Sequence, residues 1–108
     1  MEKLEAIAAF LEVDQEDIDE SSYNDCIFEY GSQEYLVVTD DEADTLQDES
    51  LERYLVDCIY PQLPDSLVNY FDDEAWKRDA RFDGRGHSLS SYDGHENFQG
   101  EYFIYRVN

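Results

Sequence analysis

Basic residues are scarce in this chain. Its 108 residues hold 7 lysines and arginines against 28 aspartates and glutamates, a formal net charge of -21. Such a balance disfavours direct contact with nucleic acid or anionic membranes, since both need cations on the protein. Long apolar runs are missing too. None approaches 18 residues, so no membrane-spanning helix is expected. The opening "MEKLEAIAAFLEV" lacks the basic start of a signal peptide, so a cytoplasmic setting is the expectation. Two cysteines, Cys26 and Cys58, are too few for a disulfide framework. They read as thiols inside the fold, with a single pairing left open.

Catalytic and metal signatures are equally thin. His87 and His95 flank Asp93 in a glycine-rich segment, but a third firm ligand is absent. Ser88, Ser90 and Ser91 stand near His87 without a G-x-S-x-G elbow, and "GRGHS" is no phosphate loop. A calcium loop starting at Asp14 would have Ile18 at its fifth position, Asp19 where glycine is required, and Asp25 in place of the closing glutamate. The expectation is no enzyme, no metal and no cofactor. "DGRGHSLSSYDGHEN" reads as a structured turn.

What is present is a core. Apolar residues make up 42% and aromatics 15% of the chain, too much for a disordered acidic tail. Leu4, Ile7, Ala8 and Leu11 predict a helix over 2–12. Ile27, Phe28 and Tyr30, then Tyr35 to Val38, predict a hairpin turning at Gly31-Ser32. Thr39 and Glu42 stand in capping-box relation, opening a helix over 40–59 that Pro61 and Pro64 end. Leu67, Val68, Phe71, Ala75, Trp76 and Ala80 predict a third helical region, broken near Tyr70-Phe71, with Asp72 capping its second half. "GEYFIYRVN" closes as a strand, and 87–92 is expected to pair with it across a hairpin loop at Asp93-Gly94. The fold class is α+β: a single compact domain over 1–108 with about three helical regions and a small antiparallel sheet.

The charge is uneven. Residues 1–60 carry 19 acids and 2 bases; residues 61–108 carry 9 acids and 5 bases. Asp41, Asp44, Asp48 and Glu52 recur at helical spacing opposite the apolar stripe, and Asp17, Asp19 and Glu20 extend the acidic set. A rigid array of this kind approaches the spacing of backbone phosphates and suits a basic, DNA-binding partner. The plainer reading is a solvated helix face, although -21 exceeds what solubility asks of a small domain. The bases Lys77, Arg78, Arg81 and Arg85 either pair with Asp72, Asp73, Glu74 and Asp79 or align a homodimer.

The phrases "YLVVTDDEAD", "YFDDEAWKRDA" and "RGHSLSSYDGHE…YFIYRVN" resemble small acidic proteins of bacteriophages and mobile elements. "LPDSLVNYFDDEAWKRDARFDG", Leu63 to Gly84, resembles a stretch of the ArdA antirestriction proteins. Those are longer, dimeric DNA mimics that occupy the DNA groove of type I restriction enzymes. The resemblance implies an inhibitor of a host defence nuclease, a restriction enzyme or a CRISPR effector engaged at the surface that reads the PAM duplex. It transfers general acidity and no individual contact residue. The alternative is an accessory protein that binds a partner through its aromatic-rich sheet and C-terminal strand.

Overall fold

The computed structural model describes residues 2–22 and 24–108. The chain order is α1 (Lys3–Leu11), a 3₁₀ turn (Gln15–Asp17), β1 (Asp19–Glu20), β2 (Ile27–Tyr30), β3 (Gln33–Thr39) and α2 (Asp40–Tyr54). A π turn (Leu55–Ile59) and a 3₁₀ turn (Tyr60–Gln62) follow, then α3 (Asp65–Val68), α4 (Asp73–Arg81), α5 (Arg85–Leu89), β4 (Asn97–Gln99) and β5 (Tyr102–Arg106). The five strands form one antiparallel sheet in the order β1-β2-β3-β5-β4. The class is α+β, as the sequence predicts.

The run Tyr35-Leu36-Val37-Val38 is apolar throughout because β3 is central and covered on both faces. Tyr35 and Val37 pack with Phe28, Ile104, Ala6, Ile7 and Ala8 beneath α1. Leu36 and Val38 pack with Tyr105 and Ala43 beneath α2. Side chains alternate across the pleat, so one strand feeds two cores. Val37, Val38, Ile104 and Tyr105 are fully buried, and each such side chain contributes roughly 1.5–3 kcal/mol. The hairpin turns at Gly31, whose φ of +62° suits a residue without Cβ.

The capping box at α2 forms in full. Thr39 Oγ1 accepts from the Glu42 amide at 3.2 Å, and Glu42 Oε1 accepts from the Thr39 amide at 2.9 Å. Asp72 caps α4 by accepting from the Ala75 amide at 3.0 Å. The second helix continues through the π turn, where the Tyr60 amide reaches back to Leu55. From Val56 to Trp76 no residue is fully buried. The molecule measures 56 × 23 × 21 Å along its principal axes. The radius of gyration is 16.5 Å, against about 13 Å expected for a spherical domain of this length.

The glycine-rich segment departs from its sequence reading. Residues 85–89 form α5, and 87–92 make no strand. The partner of β5 is β4, joined to it by the turn at Gly100, and Asp93-Gly94 is not the hairpin loop. The reason lies in close packing that periodicity cannot show. Gly86 is buried, and a Cβ there would lie 2.5 Å from the Gly94 carbonyl oxygen and 2.7 Å from the His95 backbone carbon. Ser90 Oγ donates to Asp93 or to the Arg106 carbonyl, at 2.8 and 2.7 Å, so this segment touches β5 through a side chain rather than a ladder.

Candidate partner-binding surface

The outer face of α2 is less free than its spacing implies. Asp40, Asp44, Asp48 and Glu52 recur every four residues and form one row along the helix. Lys77, Arg81 and Arg85 also recur every four residues, along α4 and into α5. The two rows meet antiparallel. Arg85 Nη1 lies 2.8 Å from Asp40 and 3.0 Å from Asp44. Arg81 lies 2.6 Å from Asp48, and Lys77 bridges Asp48 at 3.6 Å and Glu52 at 2.5 Å.

Arg85 is the hub of this ladder. Its Nε donates to Glu96 at 2.8 Å, and its guanidinium stacks 4.5 Å from the Phe103 ring centre. Tyr105 donates to the same Glu96. Burial pulls the Arg85 pKa down, but the bonds to Glu96 and Asp40 more than reverse this and leave it raised. Lys77 is 7% exposed, and its bond to Glu52, opposed by burial, holds its pKa above the ordinary value.

The basic cluster therefore pairs within the chain, but with α2 rather than with its own segment. Asp72 is engaged as a helix cap, and Asp73 accepts from the Tyr60 hydroxyl, whose pKa it pushes up to about 12. Local acids are the wrong partners because α4 turns its cations toward α2 to close that helix interface. Arg53 and Arg78 are the bases outside any ion pair or aromatic stack among the described residues. That is little with which to align a second copy by charge.

The predicted site residues thus divide. Asp44, Asp48 and Glu52 are ion-paired, although their side chains stay 49–65% exposed. Asp41 is exposed and outside the ladder. Asp17 lies in the 3₁₀ turn, and Asp19 and Glu20 form β1, all exposed, on the sheet edge rather than along α2.

That edge is where uncompensated charge collects. Residues 12–34 hold nine acids and no lysine or arginine. None of the nine joins an ion pair among the described residues. Antiparallel register places Asp19 opposite Glu29, and Glu29 opposite Glu34, so three carboxylates stand in rank across three strands. Like charges directly opposite one another are destabilising. The Glu29 carboxyl is pushed up first by its hydrogen bond with Glu34, then by burial and by the Glu34 and Asp19 charges. Sequence reasoning missed Glu29 and Glu34. The signal was available: a turn at 31–32 sets 29 opposite 34.

The same edge meets α2 through Lys3, which lies 3.0 Å from Glu42 and donates to Cys26 Sγ at 3.2 Å. Burial lowers the Lys3 pKa, and Glu42 and Cys26 outweigh it to leave a raised value. Glu42 is held below the usual carboxylate range, foremost by the Thr39 amide and further by Lys3. Cys26 and Cys58 are both free thiols.

Among the described residues, no group of three His, Cys, Asp or Glu side chains is arranged to hold a metal. Asp93 serves the turn: its carboxylate accepts from the His95 amide at 3.0 Å and from Ser90. Those bonds, the His95 amide first, lower its pKa. The sheet aromatics are committed inward, with Phe28, Tyr35 and Tyr105 buried and Phe98 the exposed one at 71%. This weighs against docking through an aromatic sheet face. No helix among the described residues is long and apolar enough to cross a membrane. No protein-family model, curated protein or solved structure matches the chain.

Proposed function

We propose that this chain is a non-enzymatic inhibitor that offers its carboxylate surface, in place of DNA, to the cationic groove of a host defence nuclease in the cytoplasm. The target class is a restriction enzyme or a CRISPR effector, in keeping with the resemblance of Leu63–Gly84 to ArdA proteins. The observation that carries the reading is axial charge density. A net charge of -21 along 56 Å is one charge per about 2.7 Å, roughly two-thirds of the density of duplex DNA at 1.7 Å per phosphate. The long axis spans about 16 base-pair steps at 3.4 Å each.

The internal ladder sharpens the reading. Three cations hold α2 rigid against α4 and α5, and the nine acids of residues 12–34 are left for a partner. Nuclease contacts to the DNA backbone are made largely by lysine and arginine, independent of sequence, so a rigid carboxylate array meets the same groups. The chain keeps like charges in rank at Asp19, Glu29 and Glu34 despite the local cost, which is how functional surfaces break folding rules.

The test is capture from a bacterial lysate at about 50 mM and 500 mM salt, followed by competition with duplex DNA. Mimicry gives a DNA-binding enzyme that is held at low salt, released at high salt and displaced by duplex. Salt-indifferent capture of a protein that ignores DNA would contradict it.

A further inference from the structure

A cavity of about 370 Å³ opens between α2, α4 and α5. Its walls include Leu51, Tyr54 and Trp76, and Asp83, Ser50 and His87 contribute polar groups. The Tyr54 and Trp76 rings lie parallel, 6° apart, with centres 5.7 Å from one another. Tyr54 is 51% exposed. Asp83 follows α4, is exposed, and has no cation partner among the described residues, because its neighbour Arg81 is drawn to Asp48. The cavity therefore joins aromatic faces to an unpaired carboxylate within a strongly negative molecule.

We propose that this cavity receives an arginine side chain of the basic partner, an inference that rests on the reading above and extends it. A guanidinium is planar, weakly hydrated and always charged, so it stacks on aromatic rings while its edge binds a carboxylate. The chain already stacks a guanidinium on a ring twice, Arg85 on Phe103 at 4.5 Å and Arg106 on Tyr92 at 3.6 Å, and Arg85 binds carboxylates with its edge as well. The volume suits one side chain, at the small end of ligand sites. A lysine ammonium would gain the charge contact and lose the stacking. Arginine anchors seated in pockets are frequent hot spots of protein interfaces, so the cavity adds a short-range anchor to the long-range field.

Trp76 is the one tryptophan of the chain, so its fluorescence reports on this cavity. The intact protein is titrated at pH 8 and constant ionic strength with arginine amide, and separately with lysine amide. The expected result is a saturable change for arginine amide, with a dissociation constant about fivefold below that for lysine amide. Asp83→Asn, at an exposed loop position, should weaken arginine amide by at least about threefold, and Tyr54→Leu should remove the preference for it. The indole N–H resonance of Trp76, followed in the same titrations, gives a second readout if a variant alters fluorescence by itself. Equal responses to the two amides, or an unchanged affinity in Asp83→Asn, would overturn the assignment. Because the probe is a free amino-acid amide, that failure is separate from failure of the DNA competition.

Discussion

Two acidic regions of similar composition do different work. Along α2, carboxylates spaced by four are answered by cations spaced by four, and the charge is spent on holding α4 and α5 in place. Along residues 12–34, nine carboxylates meet no answering cation among the described residues. Neutralising each region should therefore have opposite effects on the fold. The comparison also separates charge as cement from charge as display. The first can be replaced only by something that restores the helix interface, whereas the second costs stability and needs a reason outside the chain.

The sharpest way to break the comparison is at the ladder's hub. Arg85→Met strips the cation from Asp40, Asp44 and Glu96 together. A loss of about 2–3 kcal/mol is expected, below the full cost of breaking a buried pair because Asp40 and Asp44 are well exposed. Urea unfolding checks it. Gly86→Ala should be as damaging, since its Cβ would meet backbone atoms that cannot step aside.

Next comes the stripe itself. If the stripe Asp41, Asp44, Asp48 and Glu52 only repelled itself, neutralising three of the four would hold or raise stability. The structure reverses that sign. Asp44→Asn with Asp48→Asn and Glu52→Gln leaves Lys77, 7% exposed, without a counter-charge, and a loss of about 1–2 kcal/mol is expected. The matching triple at the edge, Asp14→Asn with Asp17→Asn and Asp19→Asn, should leave stability unchanged or higher by up to about 1 kcal/mol. Thermal melts of the two triples compare them directly.

Acidification should give the smallest effect, with two phases. The Glu29 carboxyl is raised by Glu34, so its ionised form weighs against the fold at neutral pH and the penalty fades as pH falls through the raised value. Glu42 and Asp93 are lowered, so their contribution is complete above the ordinary carboxylate range and is lost as pH falls through their own values. Stability should rise as pH falls from neutrality through the raised Glu29 value, and fall once the pH drops below the ordinary carboxylate range, read as Tm at low salt. A monotonic fall from pH 7 would mean that the edge carries no repulsion.

Much of this was legible in the residues. Thr39 and Glu42 named the start of α2, Gly31 named the hairpin, Asp72 named the α4 cap, and "GEYFIYRVN" named the closing strand, whose Tyr102 and Ile104 pack on one face with Phe103 and Tyr105 on the other. The failures share a cause. The spacing of Lys77, Arg81 and Arg85 matched that of Asp40, Asp44, Asp48 and Glu52, yet which rows meet depends on how α4 folds back after Pro61 and Pro64. Likewise α5 exists because Gly86 lets two backbone segments touch, and no period in the sequence encodes a touching distance.

The measurement closest to the central claim is the rate at which the protein associates with the DNA-binding enzyme that the lysate capture returns, followed by stopped flow across ionic strength, for the parent and the two triple variants. Both triples remove three charges. The edge triple should slow association by about tenfold at low salt and flatten the salt dependence, while the α2 triple, kept below its melting range, should slow it by no more than about threefold. A slower association for the α2 triple than for the edge triple would contradict the account, because the paired row would then be the surface that meets the partner.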